Sequence, residues 1–562
     1  MFQLRSGSLI PRHAIGLLLL PFSIPLLAQT LTPPTPRRTG PFRVAGTIVS
    51  STEGHALSRA RVSLQDVKDE KNGFFMITGD DGHFQFANLA AGKYSLTGAK
   101  RGYITASYDG HDQQFSTAIV TGADLDTESL TLRLAPTATL TGHVLDESGD
   151  PVRNANVTLW RDDHSAGISR TVRFHADTSD DQGAFEFAPL DAGTYFVSVV
   201  GQPWYAVHPP STHPEHAPDI PVCVDRSLDV VYPPTYYQGG TEVEDATPLL
   251  VRGGDHVDLE LRLTPVSALH VILRTPLPEG TPAGEQVFQY PSLAKRDFDG
   301  PQSNVRPDIQ MTSPGVFEVV TSPGTYDVRL PPGSAGPVQT TEVDISEDTR
   351  ELDLSTGQAV GSVTAKLELV GETTLPTRME VALRNARGRV VSWQRVSSNH
   401  DVRFPEVVPG KYDVLAGGEL RAYSVIRTKV NGATVSGHSL TVSPGATVEA
   451  SLLVVGGAAD VNGVAKQGGK ATPGAMIVLV PEHPEANRER FRRDQSDLDG
   501  SFTLHSVIPG TYTVIAIQNG WDLDWSKPAV IAGYASHGQK LVVRETSHNA
   551  IELPNPVEIQ PK

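Results

Sequence analysis

TGDDGHFQFANLAAGKYSL (Thr78–Leu96), SDDQGAFEFAPLDAGTYFV (Ser179–Val197) and SDLDGSFTLHSVIPGTYTV (Ser496–Val514) are one segment written three times. In each, a first glycine (Gly82, Gly183, Gly500) is followed two residues on by Phe84, Phe185 or Phe502. A second glycine (Gly92, Gly193, Gly510) stands ten residues after the first, and Tyr94, Tyr195 or Tyr512 two beyond that. Acidic residues before a glycine that can take positive φ make a tight turn, and strict apolar alternation after it makes a strand with one buried face. The spacing therefore predicts a β-hairpin whose second strand starts at the tyrosine. That ring can be buried while its hydroxyl bonds nearby backbone.

Working outward, each copy is preceded by two further strand signals. Gly46-Thr47-Ile48 leads to Ala60-Arg61-Val62-Ser63-Leu64, Gly142-His143-Val144 to Ala155-Asn156-Val157-Thr158-Leu159, and Gly463-Val464 to Ala475-Met476-Ile477-Val478-Leu479. Strictly alternating stretches close the units: Leu130, Leu132 and Leu134; Val257, Leu259, Leu261 and Leu263; Val448, Ala450, Leu452 and Val454. Looser copies occupy the middle, with His400 in place of the first glycine ahead of Gly410 and Tyr412, and Gly315 ahead of Gly324 and Tyr326.

Short strands at this spacing, without a long amphipathic helix, predict an all-β chain of tandem antiparallel β-sandwiches. The length of 562 residues is too great for one core, and Gly 51 with Pro 43 favours turns over helices. The expected boundaries are 42–135, 136–265 with a loop extension over 202–250, 266–356, 357–456 and 457–556. Residues 29–41, carrying Pro33, Pro34 and Pro36, read as a semi-rigid linker.

At the start, Arg5 and Arg12 precede an apolar run from Ile15 to Leu27 broken by Pro21 and Pro25, and Ala28 follows. This has the form of a signal peptide over 1–28 and is too short for a membrane span, so export to the periplasm, cell surface or medium is expected. A single cysteine, Cys223, makes no internal disulfide. The formal charge of −17 becomes about −19 when Arg5 and Arg12 leave with the signal. Such a surface repels phosphate backbones, which argues against a nucleic-acid partner.

The Gly-x-Val/Ile strand, the Ala-x-Val-x-Leu strand and the Asp-x-x-Gly-x-Phe hairpin together resemble the carboxypeptidase regulatory-like domain. That resemblance implies a transthyretin-like or prealbumin-like sandwich, close to the carbohydrate-binding-like fold and common in exported bacterial envelope proteins. In carboxypeptidases such domains accompany a separate catalytic domain, and no zinc motif of the His-Glu-x-x-His kind, nucleophile elbow, phosphate loop or dinucleotide fingerprint occurs here. No enzyme activity, catalytic residue, metal or cofactor is expected.

Four aromatics outside the alternation are candidate sugar-stacking rings: Trp204 and Tyr205 after the second hairpin, Trp521 and Trp525 after the fifth, the latter pair near Asp522 and Asp524. The competing reading is that these rings cap open sandwich ends. His208, His213 and His216 form a histidine group in a proline-rich loop, read as solvated rather than metal-binding. Asp494, Asp497 and Asp499 offer carboxylates to calcium, although turn geometry already accounts for them. Asp177, Asp180 and Asp181 are the acids an inter-domain active site would draw on. The leading expectation is a non-catalytic envelope scaffold or adhesion protein; the alternative is a carbohydrate-binding accessory protein. The expected partner is accordingly a polysaccharide or another envelope protein.

Overall fold

The computed structural model describes residues 39–562, apart from 70–71, 123–124, 165–166, 209–224, 275–289, 299, 302–307, 314–315, 331–338, 347–350, 354–357, 372–374, 377, 387–389, 419–421, 436, 458 and 545–549. The expected signal peptide, most of the linker, Cys223, His213, His216 and Gly315 lie outside the described residues. Among the described residues the first strand starts at Thr39, inside the stretch read as linker.

The first repeat sets the plan. Its strands are β1 (Thr39–Ser50), β2 (Arg61–Asp66), β3 (Gly73–Ile77), β4 (His83–Leu89), β5 (Gly92–Ala99), β6 (Ala106–Ser107), β7 (Ile119–Thr121) and β8 (Leu130–Leu134). One sheet runs β4-β1-β8 and the other β3-β2-β5-β6, with β7 also on β5. The inward residues of β4 are Phe84 and Phe86, which are buried while His83 and Gln85 face solvent. They meet Val62, Leu64, Tyr94 and Leu96 from the facing sheet. Each such buried side chain contributes roughly 1.5–3 kcal/mol of transfer free energy.

The same plan recurs along the chain, each time around its own buried cluster. These contain Phe185, Phe187 and Tyr195; Phe317, Val319 and Tyr326; Phe404, Tyr412 and Val414; and Phe502, Leu504 and Tyr512. Strands dominate throughout, so the chain is an all-β tandem array of sandwiches. The one α-helix among the described residues, Pro528–Ala535, follows the fifth hairpin. No helix among the described residues is long and apolar enough to cross a membrane.

Pairing is antiparallel except where each sandwich closes. β8 lies parallel to β1, His256–Arg262 to Ala138–Leu145, Glu351–Asp353 to Leu269–Arg274, and Thr447–Gly456 to Gly361–Leu369. In the fifth, Ile551–Glu552 and Val557–Gln560 both lie parallel to Ala459–Gln467. Alternation in the sequence marks these closing strands without revealing their direction, because period 2 is the same either way. The intervening sheet is the long crossover that a parallel pair requires.

Candidate functional site

The repeat motif builds a rigid frame from three devices. The first glycines sit at φ +66° (Gly82), +72° (Gly183) and +75° (Gly500), and a Cβ there would stand 2.7, 2.4 and 2.6 Å from the carbonyl oxygens of Ile48, Val144 and Ala465. His400 takes the equivalent place in the fourth sandwich at φ +66°, donating its N–H to the Ser397 carbonyl. The corner tyrosines all act alike: the hydroxyls of Tyr94, Tyr195, Tyr326, Tyr412 and Tyr512 donate to the carbonyls of Ala90, Asp191, Ser322, Val408 and Ile508. Burial raises all five phenol pKa values, that of Tyr512 to about 12.

The third device was not singled out from sequence, although its residue opens each quoted copy. The hydroxyls of Thr78, Ser179 and Ser496 accept from the buried N–H groups of Ala60, Ala155 and Ala475 at 3.0, 2.8 and 2.9 Å. They donate in turn to the carbonyls of Leu57, Val152 and Thr472. Here the signal was a small hydroxyl residue recurring four residues before the first glycine of each copy, downstream of a recurring alanine.

Most acidic candidates serve turns and joints. Asp180 accepts from the N–H groups of Gln182 and Ala184, Asp177 from those of Thr178 and Glu186, and Asp181 pairs with Arg153. Those three acids of the enzyme reading are thus separately engaged. Asp499 accepts from Ser501, Asp494 from the Thr503 N–H, and Asp497 from Lys93 Nζ at 2.5 Å and the Ala118 N–H at 2.9 Å. Among the described residues no group of three or more His, Cys, Asp or Glu is placed to hold a metal ion.

Asp497 belongs to a docking surface on which the fifth sandwich meets the first. Gln495, 1% exposed, lies at its centre. Its amide N–H donates to the Asp109 carbonyl (2.6 Å) and to Thr117 Oγ1 (2.8 Å), while its oxygen accepts from His111 Nδ1 (2.9 Å). The His111 ring lies flat on Trp521, with centroids 4.6 Å apart and planes 8° from parallel. Arg493 pairs with Asp112 at 2.9 Å and lays its guanidinium over Phe115, Trp521 and Trp525. Burial pulls the Arg493 pKa down, against the opposing pull of Asp112.

The second sandwich joins the same surface. Gly167, at φ +76°, comes so close to Trp525 that a Cβ would stand 2.7 Å from the indole, and its carbonyl accepts from the Ser526 N–H. Asp524 accepts from the Ser169 N–H and from Lys527, and Asp522 from Lys562. Trp521 and Trp525 are each 8% exposed. Their faces are covered by His111, Phe115, Arg493 and Gly167, which a sugar ring would have to displace.

Trp204 differs from that pair, being 86% exposed and standing edge-on to Tyr205. The hydroxyls of Tyr205 and Tyr232 both donate to Glu147, which holds the Glu147 carboxyl below its usual range against opposing desolvation, while desolvation first and the Glu147 carboxylate second push the Tyr205 phenol up to about 12. Of the histidine group, His208 is described, with Nδ1 3.2 Å from Asp229.

These frames, corners and cores place the chain among known proteins. Residues 43–134 match the carboxypeptidase regulatory-like domain. The matched stretch is the first sandwich, β1 to β8. No curated protein matches the chain. Solved structures it is similar to include the Bacillus anthracis TIE protein, at 12% identity and TM-score 0.17, covering 74% of each chain. A Streptococcal ancillary pilin matches at 10% identity and TM-score 0.19, covering 51% of this chain and 100% of that one. GBS52, the minor pilin of Streptococcus agalactiae, matches at 12% identity and TM-score 0.20, covering 43% and 99%. At such TM-scores the likeness adds nothing to what the sheets themselves display.

Proposed function

We propose that the chain is an exported, non-catalytic protein of the bacterial cell envelope, a multi-sandwich scaffold of adhesion type. The observation that carries this reading is where the polar side chains are spent. In the first, second and fifth sandwiches Asp81, Asp180 and Asp499 serve the turns, while Arg493, Gln495, Asp497 and Trp521 dock the fifth sandwich on the first. A frame repeated with constant internal chemistry and sequence-specific joints serves to hold surfaces at fixed spacing. The carboxypeptidase regulatory-like match over residues 43–134 supports the same setting.

Cell fractionation with N-terminal sequencing tests the reading. The mature chain is expected in the envelope or medium, beginning after residue 28, without hydrolysis of peptide, ester or glycoside substrates. A cytoplasmic chain with its leader intact, or turnover abolished by Asp177→Asn or Asp180→Asn, would refute it.

Carbohydrate binding is the second reading, and the exposure of Trp204 favours it over a purely structural role for that ring. An aromatic face beside a hydroxyl and carboxylate cluster is the chemistry that receives a sugar. Polysaccharide pull-down is expected to be lost with Trp204→Ala and kept with Tyr94→Phe, a core change remote from the site; equal retention by both variants removes this reading.

A further inference from the structure

We propose that His270 is a latch, tightened by acid and released by alkali, that fastens the loop extension of the second sandwich to the third. The geometry carries it. Nδ1 of His270 lies 2.6 Å from Glu318 Oε1, and Nε2 lies 2.9 and 3.0 Å from the two oxygens of Asp229. A neutral imidazole has one N–H and one lone pair, so it can satisfy only one of two flanking carboxylates. With carboxylates on both nitrogens the ring must carry both protons, and its positive charge then sits between two negative ones.

The site lies at the passage from one sandwich to the next. Asp229 is fixed by its own backbone: its carbonyl accepts from the Ala268 N–H, and Val230–Val231 pairs with Val266–Ser267. His208 adds Nδ1 to the same carboxylate, and Val207 donates its N–H to the Leu228 carbonyl. From the third sandwich, Glu318, 3% exposed, faces the ring from the neighbouring strand. Farther along that sheet, Arg274 pairs with Glu351, while the Gln310 amide bonds Asp308. Burial opposes charging His270, but the hydrogen bonds to Asp229 and Glu318 outweigh it and raise the pKa above the ordinary histidine value.

The sign follows from linkage. A histidine whose folded pKa exceeds its unfolded value of about 6.5 contributes stability that is complete below that pH and is lost as pH rises through the folded pKa. Once the ring is neutral, one carboxylate faces a lone pair and the joint loosens. Other contacts hold the same two sandwiches independently of this proton: Lys295 bonds Glu242 at 3.0 Å, and Phe298 packs on Trp160, Phe196 and Tyr236. The latch therefore alters the tightness of the joint while leaving the sandwiches folded.

Nitrogen-15 histidine NMR on the full chain tests this, with His270→Gln assigning the signal. At pH 7 both His270 nitrogens are expected to be protonated, with a titration above pH 6.5. Hydrogen exchange of residues 266–268, which pair with the loop extension, corrected for intrinsic rates, is expected to quicken by about tenfold per pH unit through that titration in the native chain and to stay level in His270→Gln. A single-tautomer neutral ring at pH 7, or pH-independent protection in the native chain, overturns the proposal. Should His270→Gln fail to fold, Glu318→Gln takes its place. A titration moved to lower pH supports the latch, and an unmoved one refutes it.

Discussion

Tyr195 shows how much one hydroxyl contributes. Its bond to the Asp191 carbonyl, repeated at the other four corners, fixes the start of the second hairpin strand while the ring fills the core. Tyr195→Phe is expected to keep the fold and lose about 1 kcal/mol, read from chemical denaturation. His400 holds a left-handed conformation that its neighbours in the repeat give to glycine, at a cost of roughly 1–2 kcal/mol. His400→Gly is therefore expected to raise the melting temperature of the fourth sandwich. Asp494 titrates in the opposite sense to a paired acid, because burial raises its pKa to about 6 despite the Thr503 N–H that favours the charge. An acid whose folded pKa lies above its unfolded value gains stability as pH falls from about 6 towards 4. Asp494→Asn should stabilise the chain at pH 7.5, with an advantage that vanishes near pH 4 in a melting series.

The hairpin strands were fully legible, because alternating phenylalanines, paired glycines and a tyrosine leave one arrangement that buries the rings and satisfies the turn. Gly183→Ala tests that logic. The new methyl would meet the Val144 carbonyl at 2.4 Å on a backbone at φ +72°, a loss expected at about 1–3 kcal/mol by denaturant titration. The direction of the closing strands was not legible: Leu130, Leu132 and Leu134 alternate identically whether β8 lies parallel or antiparallel to β1. Nor did any local period announce the Pro528–Ala535 helix, which lies over the fifth sandwich where Ile531 joins Met476, Ile515 and Trp525 in a second buried cluster. Tertiary covering decides such an element, and single-sequence patterning does not register it.

Contacts along the whole molecule do not stop at neighbours in sequence. The first and second sandwiches meet through Tyr103 and Pro136, the third and fourth through Arg329 and Glu406, the fourth and fifth through Ser424 and Glu489, and the fifth returns to the first and second. That return supplies the partners of Trp521 and Trp525. Nothing in their neighbourhood in sequence names His111 or Gly167, which lie hundreds of residues away. Gln495 was overlooked because one amide in an acidic turn looks like any solvated residue until the partner loop supplies its bonds. Gln495→Ala is expected to weaken the docking by about 1–3 kcal/mol, seen as faster hydrogen exchange over residues 108–118 with protection at 459–467 unchanged.

The parallel closure of every sandwich has a mechanical consequence. When the first and last strands of a body point the same way, the chain comes in at one pole and leaves at the other. A pull on the two ends then slides neighbouring strands lengthwise, and their rungs resist together instead of parting one after another. An assembly strung this way would stretch first where the fifth body leans on the first, taking up slack before any core gives way.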